Sequence, residues 1–265
     1  MASILSAYDD LIENNTRRIK ILEEMAQRIY REWFVEFRYP GYEHVRLLDS
    51  ELGPLPERWT VRRLDAVCSR ITDGAHKSPP STPLGYPMAS VKDMTNRGLD
   101  LASCRRIAPH DFEELVRQNC KPRAGDVLIA KDGSYLKHVF TVEEDQDVVI
   151  LSSIALLRPN HLIRSSLLAL YLRLGEVRER LQGYVSGVAI PRIVLKDFRV
   201  FPILIAPIEI QRALEDILSP LLQQARTLDR TNFALRTTRD LLLPRLISGE
   251  IDVENLDIDT SGLAA

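Results

Sequence analysis

Four short stretches set nitrogen donors beside tight turns. They are Thr72-Asp73-Gly74-Ala75-His76-Lys77, Ser90-Val91-Lys92, Lys131-Asp132-Gly133-Ser134-Tyr135-Leu136-Lys137-His138 and Gly187-Val188-Ala189-Ile190-Pro191-Arg192. Contact with DNA calls for this kit: cations neutralise phosphates, while hydroxyl and imidazole groups reach base edges. The candidate DNA-binding residues are His76, Lys77, Lys92, Lys131, Ser134, Tyr135, Lys137, His138 and Arg192. Each has a plainer reading as well. Glycine turns punctuate chains, surface lysines are solvated, and Tyr135 serves equally well as a core residue.

Catalytic chemistry is missing where it can be tested. A common metal-dependent nuclease needs an acid two residues before a lysine, and Ile129 stands there before Lys131. A base-flipping methyltransferase needs a glycine-rich cofactor loop and an Asn/Asp-Pro-Pro-aromatic clamp. Ser78-Pro79-Pro80-Ser81 has the prolines alone. Neither a phosphate-binding G-x-x-x-x-G-K-[ST] loop nor a G-x-S-x-G elbow occurs. The sequence reads as a binder, not an enzyme, with no cofactor. His76 and His138 lack metal partners at useful spacing, so no metal site is expected. Cys68, Cys104 and Cys120 form no C-x-x-C pair and read as buried free thiols, which suits a reducing cytoplasm.

The totals are those of an ordinary globular protein: 265 residues, 45% hydrophobic and 27% charged. No apolar run approaches a membrane span, and Met1-Ala2-Ser3 lacks the pattern of a signal peptide. Net charge is −2, but residues 250–265 carry five acids and no Lys or Arg, which leaves +3 on 1–249. That permits a local basic face.

Two long elements must carry the loops. Ile4-Leu5-Ser6 returns as Ile217-Leu218-Ser219, and both copies belong to long amphipathic helical patterns. Ser6-Ala7-Tyr8-Asp9 fits a capping-box start for the first, whose apolar stripe runs through Leu11, Ile19, Leu22, Ala26, Ile29 and Trp33 before Pro40-Gly41. The second starts near Pro207, and its stripe passes Leu214, Leu218, Leu221, Ala225 and Leu228. Pro220 should kink it or restart it with Ser219 as cap, and Pro244 with Ser248-Gly249 should end it. Asn15 and Asn232 fall on the two stripes as candidate register-fixing residues; the alternative is a solvated amide at the stripe edge.

The segments are then 1–38 (helix), 39–57 (linker), 58–205 (globular domain), 206–249 (helix) and 250–265 (a mobile acidic tail). Within the globular part, strand-like runs are Met88–Val91, Val127–Ala130, Val139–Val142, Val148–Leu151, Ile154–Arg158 and Phe201–Ile205. Helix-like runs are Asp111–Gln118, Ser166–Leu174 and Val177–Gln182. Their irregular alternation predicts a mixed α+β fold.

Short motifs span nearly the whole chain. Ile12-Glu13-Asn14-Asn15, Leu22-Glu23-Glu24-Met25 and Trp33-Phe34-Val35 come first, followed by Leu55-Pro56-x-x-Trp59 and Thr72-Asp73-Gly74-x-His76. Gly125-Asp126-Val127-Leu128, Ser152-Ser153-Ile154 and Ile190-Pro191-Arg192-Ile193 follow. Pro207-x-x-x-x-Gln211 and Leu243-Pro244-Arg245-Leu246-Ile247-Ser248-Gly249 close the series. In this order they resemble the specificity subunits of type I restriction–modification systems. The resemblance implies a non-catalytic subunit in which target-recognition domains each read half of a bipartite site in double-stranded DNA. Two antiparallel, coiled-coil-like helices hold those domains apart, and methyltransferase subunits and a translocating restriction subunit dock on the frame. This sequence has one such domain and two helices. The first helix lacks the lead-in present at Pro207–Gln211, so the chain looks like a distal half or a natural half-subunit. Its helices are expected to pair with each other, with a second chain as a homodimer, or with a missing half. A helical scaffold that binds only protein is the alternative, supported by the near-neutral charge.

Overall fold

The computed structural model describes residues 2–131, 137–184 and 194–250. Two compact units are distinguished, one from the residues up to Arg31 together with those from Asp216 on, the other from Glu32–Glu215. In chain order, α1 spans Ala2–Phe34, β1 Leu47–Leu48, β2 Leu55–Pro56, β3 Thr60–Arg63, α2 Leu64–Val67, β4 Cys68–Asp73, β5 Tyr86–Ala89 and β6 Arg105–Ile107. There follow α3 Pro109–Arg117, β7 Val127–Ala130, β8 Val139–Thr141, β9 Val149–Ile150, β10 Ile154–Pro159, α4 Ser165–Arg173, α5 Gly175–Gln182, α6 Leu195–Val200, β11 Pro202–Ile205 and α7 Ile208–Ile247. The fold is α+β, as the irregular alternation predicts.

The centre of the larger unit is a four-stranded sheet of order β4-β10-β7-β8, antiparallel throughout. Its inner strands β7 and β10 are the continuous apolar runs Val-Leu-Ile-Ala and Ile-Ala-Leu-Leu, buried on both faces. Successive side chains on a strand alternate between faces. Leu128, Ala130, Ile154 and Leu156 therefore pack with Met94 and Phe140 on one face. Helix α4, buried from Leu167 to Leu172, packs against β7, β8 and β10. A second sheet, β6-β5-β9, joins through the parallel pair β5–β9. Strands β3 and β11 pair antiparallel.

Bidentate contacts stitch these layers. The Gln211 side chain accepts from the Arg164 N–H and donates to the carbonyls of Leu162 and Ala206. At 2% exposure this amide satisfies backbone groups just ahead of α4 and just ahead of α7 that would otherwise be left unpaired. This is a physical reason for glutamine in the Pro207-x-x-x-x-Gln211 motif.

In the smaller unit, α1 and α7 meet in opposite order along their lengths. Asp9 touches Arg239, Asn15 touches Asn232, and Ile19 packs with Ala225 and Leu228. The Asn15 amide donates to Asn232 Oδ1 at 3.0 Å, and Asn232 Nδ2 donates to Ile12 O at 3.3 Å and Thr16 Oγ1 at 3.2 Å. Both asparagines are buried, at 3% and 1%, so neither is a solvated amide at a stripe edge. Asn232→Ala alone strands a buried amide and should cost about 1–3 kcal/mol in urea unfolding. Replacing both with Leu should recover that loss, because no polar group is then left unmatched.

Four sequence expectations are corrected. Helix α1 already includes Ser6 in its interior, because Ala and Leu before it are strong helix formers. It stops at Phe34, and Phe37 takes a left-handed φ of 56°. Pro220 does not restart the helix and Pro244 does not end it: both lie inside α7, which runs from Ile208 to Ile247. Each proline lacks an N–H, and burial of Leu218, Ala225 and Leu246 alongside offsets that cost. The stop comes at Gly249, where the Ser248-Gly249 pair puts it, with φ of 74° and its N–H on Leu246 O. The acidic tail beyond 250 lies outside the described residues. Among the described residues, no helix is long and apolar enough to cross a membrane.

Candidate nucleic-acid interface

The strand register brings the predicted loops to one end of the four-stranded sheet. Asp73 pairs with Ala155, Ile154 with Ala130, and Ile129 with Val139. The exit of β4, the exit of β7, the entry of β8 and the entry of β10 therefore share an edge. Past β4, the Gly74 N–H reaches Ile154 O, and the Ala75 and Ser152 N–H groups bond to Ile150 O and Ala75 O. His76 and Lys77 emerge from this pinned turn and are exposed. Lys92 is tied to the same end by Ser153, whose hydroxyl accepts the Val91 N–H at 3.2 Å. A capping box between Ser90 and buried Asp93 holds that turn, with Lys92 exposed.

Lys131 is different. It is only 8% exposed, and its Nζ lies 3.4 Å from Asp73 Oδ2. The other Asp73 oxygen, Oδ1, lies 3.2 Å from His76 Nε2. Lys137 is exposed, and its carbonyl accepts from Arg178 Nη2 at 3.0 Å. His138 is half-buried, with Nδ1 3.0 Å from Asn96 Oδ1. Burial lowers the His138 pKa, and the neighbouring charges of Lys137 and Arg178 lower it further. Burial likewise lowers that of Arg178, with Arg173 adding to it. Burial is the larger cause in both cases; the smaller one places Lys137 and Arg178 near His138, and Arg173 near Arg178, and such a grouping of cations attracts an anion. Arg173 and Arg178 were not among the sequence candidates. They sit on α4 and α5 beside ordinary helical patterns, and only the fold brings Arg178 to Lys137. Lys77 lines a shallow hollow of about 310 Å³ with Asp111 and Glu114, acids that offset its charge. Ser134, Tyr135 and Arg192 lie outside the described residues.

The three thiols are all buried and free. Burial pushes Cys68 and Cys104 up from 9.0 to about 12, with nearby acids adding to the effect, and also raises Cys120. The thiolate is the nucleophile, so these groups are inert near neutrality. Raised folded pKa values mean that the unfolded chain loses these protons first. Stability should therefore fall as pH climbs from about 9 toward 12. Iodoacetamide at pH 8 should label the protein only after denaturant is added, as mass spectrometry would show.

Exposed Lys92 and Lys137 gather with His76 at one sheet end, an arrangement suited to contact with an anion. The family model for the type I restriction modification DNA specificity domain matches residues 56–232. The chain belongs to this family, whose business is DNA specificity and not catalysis.

The type I restriction enzyme MjaIX specificity subunit of Methanocaldococcus jannaschii is 27% identical over 267 aligned positions, which cover 97% of this chain and 59% of that protein. The type I restriction–modification S subunit from M. genitalium has a similar fold, with a TM-score of 0.61 at 16% identity, covering 92% of this chain and 59% of that one. A chain from a structure of type I restriction–modification complex assembly and conformational transition gives 0.51 at 22% identity, covering 92% and 56%. The chain thus spans under two thirds of the length of each relative.

Proposed function

We propose that this chain reads one half of a bipartite DNA site within a type I restriction–modification complex. It docks methyltransferase and restriction subunits and performs no catalysis itself. The observation that carries the reading is the convergence of His76, Lys92, Lys137 and His138 at one sheet end, inside the region matched to the DNA specificity family. Arg173 and Arg178 join them as phosphate-facing candidates. Exposed apolar residues on the long helices, such as Ile21, Met25, Leu241 and Ile247, offer faces for protein partners.

Co-expression with a type I methyltransferase subunit, followed by sequencing of methylated DNA, tests this directly. A single reproducible motif is expected. Absence of any motif, together with no salt-dependent retention on DNA, would favour a protein-only scaffold instead. In this proposal α1 and α7 also act as a spacer. Removing seven residues from each, inside Glu13–Ile29 and opposite it, shortens the pair by about 10 Å. The half-site spacing should then shrink by about three base pairs with half-site sequences unchanged. A spacing that stays fixed refutes the spacer role.

A further inference from the structure

We infer that His76 discriminates one base through its outward Nδ1, and that a Lys131–Asp73 pair sets the hydrogen-bonding character of that atom. The inference rests on the DNA-reading function proposed above.

The geometry is specific. Asp73 is the last residue of β4, with its side chain 11% exposed. Its two oxygens do separate jobs: Oδ2 faces the nearly buried Lys131 ammonium at 3.4 Å, and Oδ1 faces His76 Nε2 at 3.2 Å. Lys131 leaves β7, two strands away from β4, and the two are connected through β10. Ala155 is the cross-strand neighbour of both Asp73 and Ile129. By strand alternation, Asp73 and Lys131 continue the same face. Lys131 is thus occupied at the sheet end and serves as an anchor for the carboxylate, not as a free phosphate contact.

The chemical consequence falls on His76. A carboxylate only accepts, so the hydrogen bond to Asp73 requires the proton on Nε2. In the neutral ring the other nitrogen, Nδ1, is then an acceptor. The imidazole is exposed, with 78% of its side chain reaching solvent, while the backbone behind it is pinned at Gly74 and Ala75. An outward acceptor matches the exocyclic amino groups of adenine or cytosine in the major groove. It mismatches the oxygen acceptors of guanine and thymine at the corresponding places. Asp73 is the positioning residue and His76 the reader.

The test uses the chain co-expressed with its methyltransferase subunit and reads the methylated motif, with thermal melting as a control for folding. His76→Ala should relax one adenine- or cytosine-bearing position by about tenfold and leave the rest of the motif intact. Asp73→Asn offers an amide donor to Nε2, which turns Nδ1–H outward. The same position should then shift toward guanine or thymine. The double variant D73N/H76A should match H76A at that position, because the aspartate acts through the histidine. A motif indifferent to H76A overturns the inference, as does one weakened equally at every position. A D73N effect that persists without His76 overturns the relay. Because His76 is exposed, H76A keeps the fold and decides the matter even if D73N lowers the melting temperature. A wild-type complex that yields no motif refutes the DNA-reading function itself, and the two failures are distinguishable.

Discussion

Gly74→Ala should unfold or severely loosen the larger unit. A Cβ at residue 74 would stand 2.0 Å from Ile150 O, 2.3 Å from Ile150 C and 2.6 Å from Leu151 C. All three are backbone atoms, so no rotamer change relieves the clash. The backbone there is also held on both sides: Gly74 N–H bonds to Ile154 O, and Ala75 bridges Leu151. Moving β9 away would break its parallel pairing with β5. A cost above ~4 kcal/mol is expected, or a melting temperature lowered by about 10 °C or more. Gly98→Ala is the control. Nothing lies within 4 Å of a Cβ there, so its effect should stay within about 0.5 kcal/mol. Equal melting temperatures for the two variants would refute the close approach at Gly74.

The second large effect is expected at Asp126. This carboxylate is 1% exposed and grips Arg158 with both oxygens, at 2.7 Å to Nε and 2.7 Å to Nη2. It also accepts the Arg123 N–H at 2.8 Å, which closes the turn into β7. The Arg158 pKa is raised, chiefly by the guanidinium's own hydrogen bonding to Asp126. Asp126→Ala leaves a mostly covered guanidinium without its counter-charge, and breaking such a pair costs about 3–5 kcal/mol. Asp126→Leu with Arg158→Met removes both charges and should recover much of the loss, since apolar replacement of a buried pair is often neutral or better. Urea midpoints of the three proteins would show it. A double variant no more stable than Asp126→Ala would mean that the turn bond to Arg123, and not the ion pair, carries the energy.

The apolar runs Val127–Ala130 and Ile154–Leu157 were legible because a strand buried on both faces reads as unbroken hydrophobicity. Helices α3, α4 and α5 were legible through helical spacing and lie within two residues of their expected bounds. Strand β4 was not. Its Cys-Ser-Arg-Ile-Thr-Asp alternates at a sheet edge and ends in what reads as a turn, Thr72-Asp73-Gly74. Strand β3, Thr-Val-Arg-Arg, is mostly exposed and polar, and its identity depends on pairing with β11. The loop residues were legible as donors, but not their roles. Nothing near Lys131 in sequence announces that it is buried, since its partner Asp73 arrives through the sheet order β4-β10-β7. Arg178 was missed for the same reason.

The bond between Asn15 and Asn232 joins residues 217 positions apart. On the ribosome, α1 emerges early and its mate in α7 very late. At roughly 5–20 residues per second, the apolar stripe of α1 waits ten seconds or more without a partner. Strand β4 has a shorter wait of the same kind, because β10, which pairs with it, is made only after β7 and β8. Such distant pairings slow folding and leave sticky surface open meanwhile. Production of this protein should therefore respond more to slower translation, lower temperature and chaperone supply than its moderate size suggests.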